Sequence, residues 1–198
     1  MKNNKDMNLY FDYDATLNDL PFKWIKWVND TYNTNYKFED INRWEFFQEL
    51  NTQYDVTEYF KKNLPYTSGT YETKPLQGSI DFFDEVSRLY NTNILTSTKD
   101  EKTKTFKDQH IYKYYGISNV IHTYYKYDFA INDNGKPNIL IDDKLESCLM
   151  FVANGGIAIL FNYENMYNWN RIFKSIDGLF LASSYDGIQD ILRILYET

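Results

Sequence analysis

Two carboxylates one residue apart, Asp12 and Asp14, with the hydroxyl of Thr16 two positions further on, are the first residues in this chain whose types and spacing could do chemistry. At the end of a strand such a pair can face one metal ion, and a carboxylate beside that ion can act as a nucleophile toward phosphorus. An acidic pair alone is also what a solvated loop offers, so its meaning depends on the rest of the chain. A second pair, Asp142-Asp143, closes the apolar run Ile139-Leu140-Ile141. Taken singly, that pair also reads as a helix N-cap followed by a favourable first-turn acid. A third run, Ile94-Leu95, ends in the hydroxyls of Thr96, Ser97 and Thr98. Four carboxylates with no thiolate or imidazole nearby are hard oxygen donors, which suit Mg2+ and not zinc.

The residues that lead into these groups are those of buried strands. Leu9-Tyr10-Phe11, Ile94-Leu95 and Ile139-Leu140-Ile141 are short apolar runs that end abruptly in polar side chains. In open α/β sheets ligands sit outside the carboxyl ends of parallel strands, where acids from two strands and hydroxyls from a third would converge. The pattern predicts strands at 8–13, 92–96, 119–122, 138–142 and 157–161. It predicts helices at 21–33, after a cap at Asp40, at 54–63, from a cap at Ser79 to about Tyr90, at 101–115, at 145–153 and from Tyr185 onward. Phe22, Ile25 and Val28 share one face of the first helix, with Trp24 and Trp27 flanking it. Gly155-Gly156 ends the helix over 145–153, and an apolar run, Gly178 to Ala182, precedes the last helix. The alternation of strands and helices implies an α/β fold, a Rossmann-like parallel sheet with right-handed crossovers. Residues 18–77 interrupt that alternation.

Composition agrees with one such domain. At 198 residues the chain can bury a sizeable core. Lys and Arg total 21 against 28 acids, a net charge of −7. That sign disfavours a long nucleic-acid backbone, which needs clustered cations, but is compatible with a small nucleotide whose phosphate meets a metal ion. The one cysteine, Cys148, cannot form an internal disulfide and reads as a small buried apolar residue. There is no apolar stretch near the ~18 residues of a membrane span, and Met1 to Asp6 is no signal peptide. The expectation is a cytoplasmic protein with no membrane partner. Heavy use of Asn, Tyr, Lys and Ile accords with AT-rich coding, as in a low-GC bacterium or a phage gene expressed in its host's cytoplasm. His110 and His122 have no second ligand at metal spacing and read as structural or exposed, and Glu72 and Asp81 read as solvated.

In this order the groups resemble the four motifs of the haloacid dehalogenase (HAD) superfamily of phosphohydrolases. Asp12, Asp14 and Thr16 match Asp-x-Asp-x-Thr, Thr96 matches the strand-ending hydroxyl, and Lys126 best matches the lysine before the last core strand, with Lys136 its rival. Asp142-Asp143 match the acidic pair. The likeness spans roughly residues 8–162. It departs at Ala15, where Gly is usual and where Ala fits if φ is negative. Within the superfamily the chain is most similar to the 5′(3′)-deoxyribonucleotidases and phage 5′-nucleotidases. The carrying residues are Leu95-Thr96-Ser97, the turn Lys74 to Gly78, Asn138 to Asp143 and the run Gly155 to Ile159.

The resemblance implies a core of residues 1–17 and 78–198, with 18–77 a small helical cap over the site. It implies Asp12 as nucleophile and Asp14 as general acid and base. Mg2+ would be held by Asp12, the Asp14 carbonyl and Asp143, with Asp142 acting through water. Thr96 and Ser97 would meet the phosphate, and Lys126 would offset its charge. In the aromatic-rich insertion, Trp44, Phe46 and Phe47 are the candidates for stacking on a base, and Arg43 for a base edge or second phosphate. The expected activity is hydrolysis of (deoxy)nucleoside monophosphates. Alternatives are another HAD phosphatase, acting on a 3′-phosphorylated nucleic-acid end or a sugar phosphate, and a protein that binds nucleotide with hydrolysis weak or lost.

Overall fold

The computed structural model describes residues 7–43, 57–170 and 175–197. Six parallel strands form one sheet: β1 (Asn8–Phe11), β2 (Asn91–Thr96), β3 (Val120–His122), β4 (Ile139–Asp142), β5 (Ile157–Phe161) and β6 (Leu179–Ala182), in the spatial order β3-β2-β1-β4-β5-β6. The described helices are α1 (Leu20–Tyr32), α2 (Glu58–Lys61), α3 (Ser79–Leu89), α4 (Glu101–Tyr115), α5 (Leu145–Ala153) and α6 (Tyr185–Glu197). The apolar run before the last helix is thus a sixth strand.

Both faces of the sheet are covered, which is why its strands read as near-continuous apolar runs. Leu9, Phe11, Ile94, Ile139, Ile141 and Ile159 point to one side. There they pack with Phe82, Phe83 and Val86 of α3, Ile111 of α4, and Ile188 and Leu192 of α6. The alternate residues Tyr10, Leu95 and Leu140 pack on the other side with Phe151 of α5 and Ala130, and Ala158 and Leu160 pack with Cys148. Each fully buried Leu, Ile, Val or Phe among them contributes roughly 1.5–3 kcal/mol.

β1 stops at Phe11, two residues before the expected end, and the chain turns at once: Leu17 N–H bonds back to the Tyr13 carbonyl at 3.0 Å. At α3, Gly78 (φ 82) takes the cap position expected of Ser79, which is the first helical residue and pairs with the Tyr115 hydroxyl. Phe38–Asp40 is a single tight turn, and the helix expected over 54–63 is described as Glu58–Lys61.

The insertion between β1 and α3 has its own apolar cluster of Leu20, Trp24, Ile25, Trp27, Val28, Ile41 and Tyr59. Trp24 and Trp27, expected to flank the buried face, lie in that cluster, while Phe22 is only half-buried. Two antiparallel crossings lead in and out: Asp19 N–H bonds the Lys74 carbonyl at 2.9 Å, and Leu76 N–H bonds the Leu17 carbonyl at 3.0 Å.

His110 of α4 fastens this insertion to the core. Its Nε2–H donates to the Thr73 carbonyl at 3.1 Å, so its Nδ1 accepts from the Tyr13 hydroxyl at 2.6 Å. Burial, only partly opposed by Glu72 and the Thr73 carbonyl, lowers the His110 pKa from 6.5 to about 4. The unfolded chain therefore takes up this proton first, so the contribution is whole above pH 6.5 and lost as pH falls to about 4. The loss is about 3 kcal/mol. Urea unfolding across that window should show the decline, and His110→Gln should flatten it relative to the native chain.

Candidate active site

The strand order turns outward at β1, with β2 on one side and β4 on the other, and a sheet of this kind leaves its crevice at the carboxyl ends there. Phe11 pairs with Ile94 and Ile141, and Asp12 N–H bonds the Ile141 carbonyl at 2.9 Å. This register sets Asp12, Asp142 and Asp143 together, with one ligand atom from each within 4.8 Å of the others. All three are buried. Thr96, the last residue of β2, is 1% exposed beside them.

Lys126, in the tight turn Lys126–Phe129, reaches into this cluster. Its Nζ lies 2.8 Å from Asp12 Oδ1 and 2.6 Å from Asp142 Oδ2. Burial alone would lower this ammonium, but Asp12 and Asp142 outweigh it and hold the pKa above its ordinary value. Its rival Lys136 is exposed, in the turn whose ends join Asn132 and Lys136. Burial raises the Asp142 pKa to about 6 against the pull of Lys126. Asp143 is raised much further, by burial and then by the charges of Asp142 and Asp12. Among the described residues neither Asp143 carboxylate oxygen has a hydrogen-bond partner, although its carbonyl accepts from Asn170 at 2.6 Å and Trp169 at 3.3 Å. A buried carboxylate without partners is expensive. Three carboxylates converging within reach of one point, one of them with both oxygens unpaired, fit a hard divalent cation.

Asp14 stands apart from that trio and is satisfied by protein alone. Asn18 Nδ2 donates to Oδ1 at 3.0 Å, the Tyr66 hydroxyl donates to Oδ2 at 2.6 Å, and Lys107 Nζ lies 2.8 Å from Oδ2. Burial pushes its pKa up, but Lys107 and these hydrogen bonds bring it below the ordinary aspartate value. Lys107 is 2% exposed and also donates to Thr96 Oγ1 at 3.0 Å and the Ser97 carbonyl at 2.8 Å.

Neither Lys107 nor Tyr66 was expected from the sequence. A signal for Lys107 existed: positions 107, 110 and 111 share one helix face, and Ile111 marks that face as buried. Tyr66 had none, since its partner is 52 residues away.

Two expectations, those for Ala15 and Glu72, need correction. Ala15 has φ 61, in the left-handed region, and not the negative value that would have made alanine equivalent to glycine. Its carbonyl accepts from the Tyr167 hydroxyl at 2.7 Å. Glu72 is 4% exposed and not solvated: Lys74 and Lys113 both pair with it, because folding sets α4 against the loop that returns from the insertion. Ser97 turns its hydroxyl to the Thr123 carbonyl at 3.1 Å. Arg43 is exposed. Trp44, Phe46 and Phe47 lie outside the described residues.

No protein-family model and no curated protein matches the chain. Solved structures do. A haloacid dehalogenase-like hydrolase from Burkholderia xenovorans superposes with a TM-score of 0.65 at 13% identity, covering 98% of this chain and 99% of that one. The HAD-hydrolase YfnB from Bacillus subtilis, bound to magnesium, gives 0.58 at 14%, covering 95% and 99%. D,D-heptose 1,7-bisphosphate phosphatase from Burkholderia thailandensis gives 0.54 at 10%, covering 94% and 98%. The fold is that of the HAD hydrolases.

Two outcomes follow from this geometry. Lys107→Met leaves the Asp14 carboxylate without its cation in a largely buried place, which should cost about 3 kcal/mol in urea unfolding. A divalent cation should raise the thermal midpoint. At a hundredfold excess over its dissociation constant the gain is about 2.7 kcal/mol, and Asp143→Asn should abolish most of the shift.

Proposed function

We propose that this chain is a Mg2+-dependent phosphomonoesterase that hydrolyses (deoxy)nucleoside monophosphates through an aspartyl-phosphate. The observation that carries the reading is the arrangement around Asp12: a lysine bridging it to Asp142, an unpaired Asp143 beside it, and Asp14 two residues on with separate support. The nucleotide preference is supported by the motif likeness described above.

Asp12 attacks phosphorus in line, the ester P–O bond breaks, and Asp14 gives its proton to the departing oxygen. Asp14 then takes a proton from the water that attacks the same phosphorus, which frees Asp12 and inorganic phosphate. Lys107, Tyr66 and Asn18 favour ionised Asp14, the form that second step needs. An incoming phosphate dianion raises its proton affinity for the first step, since like charges disfavour ionisation. Asp12, Asp143 and the Asp14 carbonyl would hold Mg2+, with Asp142 acting through water, and the ion would supply charge stabilisation at the phosphoryl oxygens. Lys126 keeps Asp12 and phosphate from repelling one another, and Thr96 faces the phosphoryl oxygens. Residues 1–17 and 78–198 act as the core, and 18–77 as a cap whose Tyr66 reaches Asp14 and whose bulk excludes water from the reacting centre.

Purified protein with Mg2+ should release phosphate from nucleoside monophosphates in a panel that also holds sugar phosphates and 3′-phosphorylated oligonucleotides. Silence on every nucleotide would sink the nucleotidase reading. Asp12→Asn should abolish turnover, a loss of at least about 10³-fold, with the unfolding transition retained.

A further inference from the structure

The four residues Thr123 to Lys126 are pinned to the site at both ends. At one end Thr123 N–H bonds the Thr96 carbonyl at 2.9 Å, and the Thr123 carbonyl accepts from the Ser97 hydroxyl at 3.1 Å. At the other, Lys126 is fixed between Asp12 and Asp142. The wall behind is tied as well, since His122 bonds Thr98 at 2.6 Å and Asp108 at 2.7 Å. Between the two anchors stand Tyr124 and Tyr125, 64% and 59% exposed. Their Cα atoms lie at most about 7 Å and 4 Å along the chain from that of Lys126.

Tyr125 packs edge-to-face with Tyr127 at 5.8 Å, which leaves it exposed, whereas other described rings around the site are stacked or buried. Phe22 stacks on Phe38 at 4.4 Å, Tyr167 stacks on Trp169 at 4.6 Å, and Trp24 and Tyr59 are fully buried. A loop anchored at both ends that carries two exposed rings next to the lysine of the site offers planar apolar faces at the carboxyl end of the sheet. Tyrosine suits such a place, because it presents a large, stiff ring with few rotatable bonds and keeps a polar tip in water.

We propose that Tyr124 and Tyr125 are the platform on which the base of a nucleoside monophosphate stacks, and that they set the preference of the site for nucleotides over phosphomonoesters without a base. The inference rests on the nucleotidase reading above. Stacking is sequence-tolerant, since every base has a π-face, so the platform favours nucleotides as a class and discriminates weakly among bases.

The test compares uridine and thymidine 5′-monophosphates with ribose and 2-deoxyribose 5-phosphates, which keep phosphate and sugar and lack only the base. In the variant carrying Tyr124→Ala and Tyr125→Ala, KM for the nucleotides should rise roughly 5- to 150-fold, the range base–aromatic stacking carries. Their kcat should stay within about twofold, and the sugar phosphates should be unaffected. Tyr124→Phe with Tyr125→Phe should keep the native values, because the ring and not the hydroxyl is used. Tyr112→Ala, at an equally exposed tyrosine on α4, serves as the control and should change nothing. An unmoved nucleotide KM, or an equal loss on the sugar phosphates, would overturn the platform. If the native protein turns over sugar phosphates as readily as nucleotides, the nucleotidase reading itself falls, and that result is read on the unmutated chain.

Discussion

The structure turns on the crowding of four carboxylates at one end of the sheet, three of them buried and the fourth largely so. Asp12, Asp14, Asp142 and Asp143 lie at the carboxyl ends of two adjacent strands, and the only described ammoniums in direct contact with them are Lys126 and Lys107. If all four acids ionise, two negative charges remain uncompensated. In a region of low effective dielectric that deficit cannot persist, so protons must return or a cation must enter. The raised proton affinities of Asp142 and Asp143 express the first alternative. One divalent cation meets the second in full. The two lysines also divide the acids into separate groups. Lys126 serves the trio that can hold a metal, and Lys107 serves the single carboxylate that stands apart from it.

That division depends on sheet order. Because β1 lies between β2 and β4, the acids of β1 and β4 touch, while the hydroxyl that ends β2 faces them from the other side. Lys107 descends from the helix that follows β2, and Lys126 from the turn that precedes β4, so each cation arrives from a different flank. The insertion closes the arrangement. Tyr66 comes from it to Asp14, and the loop after β5 sends Tyr167 to the Ala15 carbonyl and Trp169 and Asn170 to the Asp143 carbonyl. The turn and strand that carry the acids are thus held by groups from four other stretches of chain.

Much of this was legible from residue order, and the reason is local. A buried parallel strand is apolar along its whole length, so the residue at which polarity returns marks its end and its site-facing tip; Asp12, Thr96 and Asp142 are all such residues. Lys126 could be preferred to Lys136 because the stretch before β4 leaves room for the turn Asn132 to Gly135. What stayed hidden involves charge buried by a distant partner. Lys107, Glu72 and Tyr66 look like surface residues until tertiary packing brings Asp14 to the first and third and two lysines to the second. Polar residues inside a fold are a property of pairs, and one sequence shows only single members. Strand ends were misread for a related reason: Tyr13 is as buried as Phe11, although the chain has already left the sheet there.

Ala15 shows how such a site tolerates a departure from pattern. A non-glycine residue in the left-handed region costs roughly 1–2 kcal/mol. Strain of that size persists where the surroundings over-determine the backbone, and here they do. The Ala15 N–H donates to Asn18 Oδ1 at 3.3 Å, its carbonyl accepts from Tyr167, and its methyl group is 4% exposed. Burying that methyl returns about 0.8 kcal/mol, and glycine would bring its own entropic penalty of roughly 0.5–1 kcal/mol. Alanine and glycine therefore come out nearly level at this position. The turn that presents Asp12 and Asp14 keeps the backbone shape a glycine would give it, and the departure from the family pattern is no argument that catalysis has been lost.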